Sequence, residues 1–148
     1  RRNKHQVTYI KMALKISLKP HERVIIGGAV VTNGDSRTQL VIENRVPLLR
    51  EKDILSEQET TSPARRVYFV TQLMYVDQEN LMTHHQLYWN LVEELVRAAP
   101  SVVNLVDQIS EHILFGRYYQ ALKVARQLIE YEEEVMNATE SVGSLSAC

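Results

Sequence analysis

The sequence predicts an α+β fold: a small N-terminal antiparallel β module followed by a C-terminal helical bundle. Three observations carry this. Between Leu14 and Leu55 apolar side chains recur at every second residue, the spacing of a strand with one buried face. Beyond Asp77 they recur with a period of about 3.6 residues, the spacing of an amphipathic helix. Between the two lies a polar stretch, 56–64, that contains Pro63 and suits a connection. A chain of 148 residues holds one domain or at most two small ones. The expected division is an upstream extension at 1–11, a β module at 12–55, a helical module at 62–138 and a flexible tail at 139–148.

Leu14, Ile16 and Leu18 alternate with Lys15, Ser17 and Lys19, which places apolar groups on one face of a first strand and cations on the other. Pro20-His21 ends it. Arg23 to Ile26 reads as a second strand, and Gly27-Gly28 as a bulge or tight bend. Ala29 to Thr32 continues extended. Asn33-Gly34 is the strongest hairpin signal in the chain, because both residues tolerate positive φ. Thr38 to Ile42 is the return strand. Val46 to Arg50 reads as an edge strand, since Pro47 has no N–H for a ladder.

Ser62-Pro63 has the form of an N-cap followed by proline at the first helical position. The run from Val67 to Val76 has strand-like composition, yet the Ser-Pro start and Leu73-Met74 favour a helix. Leu81, His85, Tyr88, Leu91, Val92 and Leu95 form one helical stripe. Pro100-Ser101 separates it from a second stripe, Val102, Leu105, Val106, Ile109 and Ile113. After Gly116 comes a third, with Tyr118, Ala121, Leu122, Ala125, Leu128 and Ile129. A helical hairpin or three-helix packing follows. The residues from Asn137 to Cys148 are small and polar and suit a frayed tail.

The single cysteine, Cys148, excludes disulfide frameworks, cysteine-rich zinc sites and CxxC redox motifs. A reducing, cytoplasmic setting fits. No apolar run approaches the ~20 residues of a membrane span, so no membrane role is expected. The net charge of -1 hides an asymmetry: residues 1–66 carry 13 Lys/Arg and 7 Asp/Glu, residues 67–148 carry 4 and 11. A basic half and an acidic half suggest different partners.

Catalytic constellations are missing. Gly27-Gly28 is not followed by Gly-Lys-Ser/Thr, so it is no phosphate loop. His84 and His85 diverge by about 100° around a helix and suit no shared metal. Glu111-His112 suits a surface pair, and Asn137-Ala138-Thr139, a glycosylation sequon, lacks a secretory signal. No nucleophile, base and orienting group assemble, so a non-enzyme without cofactor or metal is expected. Binding remains. Lys15, Ser17 and Lys19 share one strand face, and Arg50 and Lys52 lie in the same half. Cations beside exposed strands suit single-stranded RNA. In the acidic half, Tyr88, Tyr118 and Tyr119 with Glu132, Glu133 and Glu134 are candidates for a protein partner. The acidic run sits near an expected helix C-terminus, where the macrodipole disfavours negative charge.

Met-Ala-Leu-Lys-Ile-Ser-Leu-Lys-Pro-His-Glu-Arg at 12–23, Asn-Gly-Asp at 33–35 and Leu-Leu-Arg-Glu-Lys-Asp-Ile at 48–54 resemble the FlbT family of flagellin translation regulators. Thr-Ser-Pro-Ala-Arg-Arg-Val-Tyr-Phe at 61–69, Tyr-Tyr-Gln-Ala-Leu-Lys at 118–123 and Leu-Ile-Glu-Tyr-Glu at 128–132 extend the likeness in order. It begins at Met12, which suits that residue as a start. The resemblance implies binding to the 5′ untranslated leader of flagellin mRNA, altering translation and stability, alongside FlaF. The rival reading is a flagellar protein-interaction or export-chaperone-like factor whose acidic helical half holds flagellin or FlaF, with indirect effects on RNA. The first half is also similar to CsrA, a β-rich RNA-binding regulator. Lys19-Pro20-His21-Glu22, then Gly27, and Val46 to Ile54 echo its motifs, with His21 in place of a glycine. That likeness implies a strand-exchanged homodimer and an RNA surface made of Leu14, Lys15, Ile16, Ser17 and Arg50. A solvent-facing Arg50 is expected to be removable with little loss of stability.

Overall fold

The computed structural model describes residues 13–146, with side chains from Ala13 to Thr139; the upstream extension and Cys148 lie outside the described residues. The chain divides into two compact units, Arg1–Ile54 and Leu55–Cys148. The architecture is α+β.

The first unit has five strands: β1 (Leu14–Leu18), β2 (Arg23–Ile26), β3 (Ala29–Thr32), β4 (Thr38–Ile42) and β5 (Leu48–Arg50). They form two antiparallel sheets, a β1-β4 ribbon and a three-stranded sheet in the order β3-β2-β5. Both the β1-β4 and the β2-β5 pairings form within one chain. Ile16 stands opposite Leu40, and Val24 opposite both Val31 and Arg50. Ile16, Leu18 and Val24 are the buried centre, with Ile26, Val31, Leu40 and Leu48 packed against it. Burial of each of those three stabilises the unit by roughly 1.5–3 kcal/mol.

Two turns exchange the roles expected of them. Gly27-Gly28 is the two-residue hairpin, joining Ile26 to its partner Ala29, with φ of 57° and 89°. Consecutive positive φ values are what a type I′ turn demands. Asn33-Gly34 is no hairpin: it carries the chain from β3 in one sheet to β4 in the other, and Gly34 does not take a positive φ. Asn33 acts through its side chain instead. Its Nδ2 donates to the carbonyls of Leu18 (3.2 Å), Lys19 (2.8 Å) and Ser36 (3.0 Å), and its Oδ1 accepts from Gly34 N (2.9 Å). The crossover is thereby fastened to the end of β1.

The second unit has four α-helices: α1 (Pro63–Val76), α2 (Leu81–Ala98), α3 (Val103–Leu114) and α4 (Tyr118–Ser146). The 67–76 run is thus helical. Ser62 caps it, its Oγ accepting from Arg65 N at 3.2 Å with Pro63 at the first position. The connection at 55–61 is anchored by the buried Gln72, which both donates to Leu55 O (3.0 Å) and accepts from Leu55 N (2.8 Å). α1 packs on α2 and α4, and α3 packs on α4. Val67, Val70 and Met74 meet a core completed by Tyr88, Ile109, Ile113, Ala125 and Leu128. Helix α4 continues to Ser146, where the sequence suggested a tail from Asn137.

Candidate nucleic-acid interface

Alternation along β1 sorts its side chains. Lys15 and Ser17 point outward with their cross-strand partners Val41 and Gln39, and all four are exposed. Leu14 is half exposed at the strand's start. Ile16 is 6% exposed and belongs to the core, so it leaves the candidate RNA face: one apolar period inward is a buried position.

Beyond β1 the chain turns at 19–22, and β5 ends beside it. Lys19, His21, Glu22, Arg50, Glu51 and Lys52, with Pro20, line a cleft of about 450 Å³. Three of the cations singled out in the sequence therefore line one cavity. Two carboxylates share it, and Glu22 is committed. Its Oε1 accepts from Lys19 N at 2.9 Å, and its Oε2 accepts from Arg50 Nε (3.2 Å) and Nη2 (2.9 Å). Those contacts, the Lys19 backbone N–H first and Arg50 after it, hold the Glu22 carboxyl below its ordinary value. Arg50 Nη2 also donates to Ser17 O at 2.7 Å. One guanidinium thus ties β5 to β1 and to the turn. Arg50 is not the solvent-facing residue expected; it is half-buried and partnered, and it shapes the cleft. Glu22, which sequence reasoning passed over, is its counter-ion. The signal was present in the Lys-Pro-His-Glu segment, where a carboxylate three residues after Lys19 can bond back to its N–H.

The partner-binding candidates of the helical unit are dispersed. Tyr88 is fully buried, its hydroxyl 2.7 Å from Ser110 Oγ, and it takes no part in any surface; burial pushes its phenol up to about 12. Tyr118 is half-buried and hydrogen-bonded to His85 Nε2 (3.1 Å), and burial raises its phenol. Tyr119 is exposed, with Lys123 Nζ 4.9 Å from its ring centre and Tyr75 stacked at a tilt. Glu132 accepts from Ala64 N at 3.0 Å, and Glu133 pairs with Arg65 at 2.7 Å. Both carboxylates therefore serve the N-terminus of α1, where the dipole favours them. The expected conflict at a helix C-terminus disappears because α4 runs on past them. Glu134 alone of the three is left exposed without a contact of this kind. His84 bonds Asp77 (2.9 Å) and His85 bonds Tyr118, so the two histidines diverge as expected.

Among the described residues no cluster of three or more His, Cys, Asp or Glu could hold a metal, and no helix is long and apolar enough to cross a membrane. The model of the family described as flagellar protein FlbT matches residues 14–136. A Bradyrhizobium diazoefficiens protein named probable flagellum biosynthesis repressor protein FlbT 1 is 47% identical over 131 residues, 88% of this chain and 89% of its own. A Rhodopseudomonas palustris protein of the same name without the numeral is 41% identical over 126 residues, covering 85% and 99%. The Caulobacter vibrioides flagellum biosynthesis repressor protein FlbT is 42% identical over 125 residues, covering 83% and 89%. No solved structure matches. With a family match over both units and relatives of this identity along nearly their whole length, the chain belongs to the FlbT family of flagellar proteins.

Proposed function

We propose that this chain regulates flagellum biosynthesis after transcription, by holding the 5′ untranslated leader of flagellin mRNA on its β unit. The names of the relatives support a regulatory role in making flagella. The observation that carries RNA as the ligand is the cleft where Lys19, Arg50 and Lys52 meet, continuous along the chain with the outward Lys15 and Ser17. Lysines hold phosphates as point charges, and exposed strand-end and turn groups read base edges. Arg50 orients Glu22 and the turn, and so shapes the cleft in which the lysines meet the ligand. Bound leader is then sterically closed to the ribosome, and the reading involves no covalent chemistry. Such a regulator works in the cytoplasm, where the message is.

The test is a titration of labelled leader RNA with the full chain and with a Lys15→Ala/Lys19→Ala/Lys52→Ala variant. The triple change should weaken binding at least tenfold, measured on folded protein, and Lys15→Ala/Lys19→Ala alone should carry most of that loss. Equal affinity would remove the cleft from the account.

One observation favours a second reading, a protein partner such as FlaF or flagellin on the helical unit. Met82, Leu114 and Phe115 are 86%, 70% and 69% exposed at the α1-α2 and α3-α4 connections. The His85–Tyr118 bond draws those two connections to one end of the helices. Apolar side chains that open to water commonly mark interaction sites. On this reading Leu114→Ser with Phe115→Ser abolishes partner capture and leaves RNA binding intact.

A further inference from the structure

His21 is the only non-glycine among the described residues with a positive φ, at 64°. An L-residue with a bulky side chain is disfavoured there, and glycine is not. The turn needs that backbone conformation. With it, His21 N–H reaches Gly34 O at 3.0 Å, Glu22 N–H reaches Lys19 O at 3.1 Å, and the Glu22 carboxylate comes back to Arg50. None of these contacts uses the imidazole. Glycine would serve the backbone better, so the ring calls for a separate reason.

Its surroundings supply one. The imidazole is the one aromatic ring lining the cleft, beside Lys19, Arg50 and Lys52. It is not packed away: the side chain is 69% exposed, and its Nε2 lies 3.3 Å from the carboxylate of Asp35, itself 97% exposed. An exposed pair of this kind holds a side chain weakly. A planar ring on a tightly bonded turn, largely exposed and flanked by cations, is an arrangement that can stack a nucleobase.

We propose that His21 is the base-stacking platform of the cleft, taking one unpaired nucleobase of single-stranded RNA while Lys19 and Lys52 hold the neighbouring phosphates. This rests on the reading of the cleft as an RNA interface and assigns its specificity for single strands. Duplex RNA, whose bases are already stacked on one another, has no unpaired base to offer the ring.

The experiment uses the full chain and a fluorescent single-stranded RNA of flagellin leader sequence, read by anisotropy, with melting temperatures measured in parallel. Three variants separate ring from backbone. His21→Gly relieves the φ and removes the ring. His21→Asn tolerates the φ and removes the ring. His21→Phe keeps a ring without the imidazole nitrogens. Loss of one stacked base should weaken binding by roughly tenfold in the first two. His21→Phe should stay within twofold of the parent, and His21→Gly should melt no lower than it. Parent-like binding by His21→Gly overturns the proposal and leaves the RNA reading standing. So does a His21→Phe variant as weak as His21→Gly. A parent chain that binds no leader RNA even at low salt overturns the RNA reading and this proposal with it.

Discussion

Arg50 spends its guanidinium inward, and its removal should be felt in stability before it is felt in binding. Arg50→Ala leaves Ser17 O without its donor and strips Glu22 of two hydrogen bonds. The melting temperature should fall by several degrees, and Arg50→Lys should not restore it, because an ammonium cannot reproduce the forked contact. Glu22 gives the effect a pH signature. Its folded-state value lies below the ordinary 4.5, so its contribution is present above that value and disappears as pH falls through the folded one. Asp77, lowered by His84 first and Asn80 second, acts in the same direction in the helical unit. Acid unfolding followed by circular dichroism should show both, and Arg50→Ala should flatten the β unit's share. Tyr88 works at the other end of the scale. Its phenol is raised from 10.0 to about 12, so stability holds below pH 10 and is lost as pH climbs towards 12. Tyr88→Phe removes the bond to Ser110 and should cost about 0.5–1.5 kcal/mol in chemical denaturation.

At the scale of elements, the turns decide which strands meet. Gly27→Ala should cost about 1–2 kcal/mol, because φ of 57° is strained for an alanine Cβ. Space is not the obstacle, since a Cβ there would sit 3.7 Å from Val46. Asn33→Ala should cost about 0.5–1.5 kcal/mol by removing the side-chain bonds that fasten the crossover to the end of β1. Glu132→Ala should loosen the start of α1 by about 1 kcal/mol, the worth of a helix cap. These positions also mark what local pattern can and cannot express. Ser62-Pro63 announced the start of α1, and the alternation along β1 announced its buried face, because each signal acts within a few residues. Asn-Gly and Gly-Gly are both hairpin formers; the choice between them follows from β1 recruiting β4, a pairing across 20 to 28 residues that no local signal encodes. The inward engagement of Arg50, Glu132 and Glu133 was hidden for the same reason. Their partners are 28, 33 or 68 residues away in the chain. The burial of Tyr88 rather than its display follows from α2 packing on α1 and meeting α3 at Ser110, whereas the stripe alone fixed only the phase.

At the scale of the whole molecule, the charge asymmetry divides at the same place as the structure. Residues 13–54 carry 7 Lys/Arg and 5 Asp/Glu, and residues 1–12 add Arg1, Arg2, Lys4 and Lys11. The helical unit from Leu55 onward carries 6 and 13. On the proposed reading, the acidic second unit repels a polyanion and the first does not, which favours the β unit as the side that meets RNA. The most direct measurement is therefore an anisotropy titration of the full chain with flagellin leader RNA and with a scrambled RNA of the same composition, each at two salt concentrations. The account predicts preferential binding to the leader, with log affinity falling against log salt at a slope of about -2 for three phosphates held by Lys15, Lys19 and Lys52. Equal binding to both RNAs, or none to either, would contradict it and move the regulatory contact to the exposed apolar end of the helical unit.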